Sequence, residues 1–198
     1  MMKKTVVQRA VSLYGRLILA SVMGVFMYLS VGVITTALTQ GTQTLSAGAS
    51  FAMNLAALLI QGFLTLSIVY AEMAQQGDKD SGPAMFQGVH SNPHIGLWVG
   101  LIASAPALLS WLVLIAEKLF GFWGTYAAVY RLGQLSLYPL VVWSLGAEVM
   151  VPAARIGWGG IFAAVIPTLV IVAAAWASYY VSYRQLGIAK RLLYKKKK

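Results

Sequence analysis

The chain has 198 residues, 59% of them hydrophobic and 10% charged, with a formal net charge of +10 and no cysteine. A soluble domain carries roughly a quarter charged residues, and a tenth cannot coat so apolar a body, so lipid must be the solvent for most of its surface. The missing cysteines exclude disulfides, thiolate nucleophiles and Cys metal sites, and the fifteen basic residues cluster at the ends of apolar runs instead of along one soluble face, which argues against nucleic acid as a partner.

The start, "MMKKTVVQRAVSLYGR", brings four cations (Lys3, Lys4, Arg9, Arg16) up to the first apolar run. That run, 17–38, is longer than a signal-peptide core of about 7 to 15 residues, so it reads as an uncleaved span despite the small residues of "SAGAS" beyond it. Residues 5–16 extend this helix or lie on the surface, with Arg9 and Arg16 reaching to water along their aliphatic stems. A helix crosses about 30 Å of hydrocarbon with about 20 apolar residues. Three further runs meet that need, 51–70, 95–116 and 160–181, so the expected fold is all-α: one membrane domain over 1–198, a bundle of four spans.

The second run, "NLAALLIQGFLTLSIVYAE", is nearly all oil, yet it holds Asn54, Gln61, Thr65 and Glu72. At 100° per residue these four lie within about 20° of one line down the helix. Polar groups facing lipid tails would lack partners, so the stripe faces other helices or a wet cavity. The functional reading is a polar path. The structural reading, interhelical hydrogen bonding, is favoured because Asn and Gln are neutral and Glu72 is placed at the water boundary. The following "MAQQGDKDSGPAMFQGVHSNPH" reads as a solvated cytoplasmic loop. His90 and His94, four apart, would share a helix face and suit a metal, but Pro93 disfavours helix at Asn92, and Asn92 or Ser91 is a natural start for the third span. No metal site is expected.

On the third span, Gly96, Gly100 and Ser104 form a face of small residues that permits close helix contact, and Ala173 with Ala177 form a shorter one on the fourth. Pro106 and Pro167 should kink their helices. Glu117 follows the third span and is expected to meet Lys118 or water. Phe122, Trp123, Tyr126 and Tyr130 recur at roughly helical spacing, as in a helix lying in the interface. The run 135–150, "LSLYPLVVWSLGAEVM", is short for a span and contains Pro139, Gly146 and Glu148.

Counting cations decides its place. With four spans, twelve basic residues lie inside and only Lys118, Arg131 and Arg155 outside; a fifth span leaves nine against six at best. Residues 119–150 are therefore expected to be a re-entrant or interfacial segment on the outer side, with both termini cytoplasmic. Inside that segment Glu148 is a candidate intramembrane carboxylate, with pairing to Arg155 as the plain alternative. After the fourth span, Trp176, Tyr179, Tyr180 and Tyr183 read as an interfacial aromatic belt. The basic tail 184–198 supplies Arg184, Lys190, Arg191, Lys195, Lys196, Lys197 and Lys198 to anionic lipid head groups at about 1 kcal/mol per charge.

"YRLGQLSLYPLVVWSL", together with the ending "YYVSYRQLGIAKRLLYKKKK", resembles a group of small multi-pass membrane proteins of clostridia-type Firmicutes, over about the last third of the chain. The resemblance implies four spans with an outer re-entrant element. It carries over no activity and no site residues. No arrangement of Ser, His and Asp, no phosphate-cradling glycine loop and no paired carboxylates stand in the sequence, so neither catalysis nor a cofactor is expected. The expected role is a non-enzymatic accessory or scaffold subunit that docks on other membrane proteins in a bilayer with anionic lipids. The alternative is a small transporter or substrate-binding membrane component whose polar cavity is lined by Asn54, Gln61 and Thr65 with Glu148.

Overall fold

The computed structural model describes residues 5–38, 47–87, 92–124, 126–134, 137–145 and 152–184. Their regular structure is helical throughout: α1 (Val6–Leu38), α2 (Ala47–Gln87), α3 (Ile95–Ala103), α4 (Ala105–Phe120), α5 (Tyr126–Gly133), α6 (Tyr138–Leu145), a 3₁₀ turn (Ala153–Arg155), α7 (Trp158–Ala163) and α8 (Ile166–Tyr183). Among the described residues three stretches are long and apolar enough to cross a membrane: Val6–Gly24, Phe51–Ser81 and Trp158–Tyr183. The pair α3 and α4, bent by 53° at their junction, makes a fourth if it is counted as one broken span. The break falls where expected, since Pro106 cannot donate an N–H back into α3.

Helices α1 and α2 are longer than the apolar runs that announce them. Helix α1 starts at Val6 because Thr5 and Gln8 cap it reciprocally: the Gln8 N–H donates to Thr5 Oγ1 (3.3 Å) and the Thr5 N–H to Gln8 Oε1 (3.1 Å). Helix α2 is 41 residues, about 60 Å at 1.5 Å per residue. It runs straight through the segment 73–87, which had been expected to be a solvated loop. The reason is tertiary: Met73, Gln76, Gly77, Asp80 and Ser81 are buried, so packing overrides a composition that favours turns.

The chain divides into two compact units. The first comprises the described residues of Met1–Gly15, Leu66–Ser104 and Val170–Lys198. Within it glycine brings backbones together. A Cβ at Gly96 would stand 2.6 Å from Tyr179 Cβ and 2.9 Å from the Ala175 carbonyl; at Gly100 it would meet Ala175 Cβ at 3.1 Å, and at Gly77 the Tyr179 carbonyl at 2.7 Å. The Gly96–Gly100–Ser104 face is thus a helix-contact face. Its counterpart on α8 is Val172, Ala175 and Tyr179, and the expected Ala173–Ala177 face is exposed instead, because the helical repeat turns those two alanines away from the contact.

The second unit comprises Arg16–Thr65 and Ala105–Leu169 in their described parts. Its apolar core gathers Leu114 of α4, Tyr126, Ala127 and Tyr130 of α5, Val141 and Leu145 of α6, and Ile161 of α7. Gly121 and Gly124 (φ +64° and +65°) turn the chain from α4 into α5, a conformation that residues with a Cβ rarely adopt. The aromatic quartet expected on one interface-lying helix is therefore divided: Phe122 and Trp123 sit exposed in this turn, whereas Tyr126 and Tyr130 are buried on α5. Helices α5 and α6 have eight residues each, about 12 Å, and neither crosses a bilayer.

Candidate functional site

The polar stripe of α2 is a buried line. Gln61, Thr65 and Glu72 are 3%, 1% and 5% exposed, and Asn54 is half-buried. Glu72 is not at the water boundary as expected: its Oε1 accepts from Ser12 Oγ of α1 (2.9 Å) and from Gln76 Nε2 one turn on (2.8 Å). Donors from two helices converge on this one oxygen, which helps to hold the side chain inside the first unit.

Two turns further along α2, Asp80 forms the centre of that unit's charged network. Arg9 grips it with two parallel bonds, Nη1 to Oδ2 (2.5 Å) and Nη2 to Oδ1 (3.0 Å), and the Tyr179 hydroxyl donates to Oδ2 at 2.8 Å. A guanidinium fork and a carboxylate match in shape, which makes this the strongest class of side-chain contact. Arg9 is thus buried and does not reach for water, and Tyr179, fully buried, leaves the expected aromatic belt to bind Asp80. The sequence carries a partial signal for this network. Arg9 and Asp80 flank the first and second apolar runs on the same predicted side, but nothing in either run selects the pair.

The second unit holds its own polar contacts. Glu117, 1% exposed, does not meet Lys118 or water; its Oε1 accepts the Tyr126 N–H at 3.2 Å and so caps the start of α5. Lys118 turns to the carbonyls of Ala153 (3.3 Å), Ala154 (3.1 Å) and Ile156 (2.5 Å), with the Trp158 ring beneath it. Tyr130 donates to the Ala164 carbonyl (2.7 Å), Arg131 Nη2 to the Leu145 carbonyl (3.0 Å) and Gln134 Nε2 to Thr168 Oγ1 (3.2 Å). These bonds tie α5 to α6 and to the helices after it. Burial, reinforced by Tyr126 and opposed by a hydrogen bond with Gln134, pushes the Tyr130 phenol well above its ordinary value of 10.0.

Comparison with protein-family models, curated proteins and solved structures finds no match to this chain. The site therefore has to be read from its own residues. Glu148, His90 and the cations Lys190, Arg191 and Lys195 to Lys198 lie outside the described residues. Arg184 is described and exposed, its guanidinium over the Tyr180 ring at 5.6 Å. His94 is exposed too, and no group of three His, Asp or Glu side chains suited to a metal ion occurs among the described residues. Asn92 does serve the start of α3, accepting the His94 N–H at Oδ1 (2.8 Å), although the helix proper begins at Ile95. Chemically, the arrangement offers buried polar contacts between helices, in which Gln76 Oε1 and Glu117 Oε2 are buried without a hydrogen-bond partner among the described residues.

Proposed function

We propose that the chain is a non-enzymatic accessory or scaffold subunit of a membrane assembly, with four spans, an outer re-entrant element built from α5 and α6, and both termini in the cytoplasm. The observation that carries this reading is the burial of Gln61, Thr65 and Glu72, with Glu72 held by Ser12 and Gln76. A solute path along α2 would need that line open to water. The same helix presents Leu59, Phe63 and Tyr70 outward, surface that lipid or a neighbouring membrane protein would cover. The test is purification from native membranes followed by mass spectrometry: one or two membrane proteins co-purifying in fixed ratio support the reading.

A small transporter is the second reading. It draws on Glu72, a buried ionisable side chain inside the candidate span Phe51–Ser81, a location that marks ion and substrate pathways in membrane proteins. Solute uptake by the chain alone in liposomes, lost on Glu72→Gln, would favour it and displace the first.

A further inference from the structure

Gln76 is 9% exposed, and its Oε1 is buried without a hydrogen-bond partner among the described residues. Folded proteins rarely leave a buried amide oxygen that way, and where they do an ion or a water is a common reason. The neighbours of that oxygen narrow the choice. Ser12 Oγ of α1 (2.9 Å) and Gln76 Nε2 (2.8 Å) both reach one atom, Glu72 Oε1, so a hydroxyl, an amide and a carboxylate share one small space inside the first unit.

The terminal torsion of a glutamine is broad and roughly two-fold. Turning the Gln76 amide end for end exchanges Nε2 for Oε1 and sets two oxygens face to face, with Ser12 Oγ beside them. A hydroxyl keeps acceptor lone pairs while it donates its hydrogen. Three oxygens so placed repel one another unless a cation lies among them, and then they are its ligands. All three are of the type that hard cations take. One carboxylate brings a single negative charge, which suits a monovalent ion; a divalent site draws on more acidic ligands, and no group of three His, Asp or Glu suited to a metal occurs among the described residues. Contacts of 2.8 and 2.9 Å close around a small ion more readily than around a large one. Glu72 also lies within the candidate span Phe51–Ser81, where a buried charge is costly and an ion bound beside it lowers that cost. The next carboxylate along α2, Asp80, is matched by Arg9 through both terminal nitrogens.

We propose that Glu72, Gln76 and Ser12 form a sodium site between α1 and α2, with the Glu72 carboxylate as its charge, the Gln76 amide oxygen and the Ser12 hydroxyl as neutral ligands, and water completing the shell. This inference deepens the transporter reading by naming its ion, but it does not rest on that reading, because a bound sodium ion also locks α1 to α2 in a scaffold. Binding and transport separate cleanly: a protein that binds sodium and carries none across liposomes keeps the site and loses the transporter reading.

Equilibrium dialysis of the full chain in neutral detergent against radiolabelled sodium tests it, with choline chloride holding the ionic strength. Binding should saturate at one ion per chain. Glu72→Gln, which keeps the shape and removes the charge, should abolish it. Gln76→Leu and Ser12→Ala should each weaken it about tenfold, the factor for one lost contact to a charged group. Sodium should also raise the thermal midpoint of the intact protein and leave that of Glu72→Gln unmoved; circular dichroism confirms that each variant keeps its helix content. Arg16, one turn after Ser12 on α1, is the rival cation, and Arg16→Gln should leave sodium binding unchanged. No saturable binding by the intact protein, binding that survives Glu72→Gln, or binding that appears only in Arg16→Gln overturns the proposal.

Discussion

Arg9 and Asp80 stand 71 positions apart, and their pairing decides what each does. Alone, an arginine at the head of an apolar helix stretches to water; beside Asp80 it is held by two bonds and 8% exposed. Removing one partner strands the other's charge, so Asp80→Ala should cost about 3–5 kcal/mol. Tyr179→Phe removes a single donor and should cost about 0.5–1.5 kcal/mol. Replacing both charges with leucine should recover most of the loss. Unfolding in mixed micelles with rising dodecyl sulfate measures all three, and a double variant as weak as Asp80→Ala would show that the pair is not acting as a unit. Tyr130 gives a second prediction at this scale. Its phenol titrates higher in the fold than when unfolded, first because it is buried. Below the unfolded pKa of about 10 both states hold the proton and stability is unaffected; above it the unfolded chain ionises first, so stability falls as pH rises toward the folded value. Tyr130→Phe should flatten that alkaline decline while losing the bond to Ala164 at every pH.

Glycines show how far helix contacts follow from local pattern. The spacing of Gly96, Gly100 and Ser104 announces a close contact, and the backbone of α8 answers it. Gly96→Ala would place a methyl against Tyr179 Cβ and the Ala175 carbonyl, atoms that move only with the helix, so it should cost about 1–3 kcal/mol. On α7 two adjacent glycines separate. A Cβ at Gly160 would strike the Ser144 carbonyl, whereas at Gly159 nothing lies within 4 Å. Gly159→Ala should be neutral or stabilising by up to about 1 kcal/mol, and Gly160→Ala destabilising. Thermal unfolding in detergent ranks the three, and equal effects at 159 and 160 would contradict the α6–α7 contact. What the pattern could not convey is the partner. "GDKDSGP" has the composition of a loop, and it is helical because Gly77 and Asp80 find α8 and α1, a fact absent from the segment itself. Likewise the period of the aromatic residues near α5 was legible, but Gly121 and Gly124 turn the chain from α4 into α5, which leaves Phe122 and Trp123 in the turn and Tyr126 and Tyr130 on α5.

Composition pointed to an apolar, all-helical body, and hydrophobic run length located the candidate spans beginning at Phe51 and Trp158, because burying an unpaired backbone in hydrocarbon leaves few other solutions. The first candidate, Val6–Gly24, only partly overlaps the expected run 17–38, and the run 95–116 is broken between α3 and α4. Orientation depends on the cations instead. With four spans, the cations of both ends and Lys79 share the inner side, and only Lys118, Arg131 and Arg155 lie outside. Lys118 and Arg131 are held by backbone carbonyls in the second unit, so they are poor topological signals, and discounting them strengthens the bias. The chain has no cysteine, which makes single-cysteine labelling clean. Cysteines at Lys4 and Lys197 should react with an impermeant maleimide only after the inner face is opened. Cysteines at Phe122 and Gly157, both exposed, should react in intact cells. Labelling of Lys197 but not Lys4 from outside would require an odd number of crossings. The segment of α5 and α6 would then have to be part of a span, and the accessory reading would lose its outer re-entrant element.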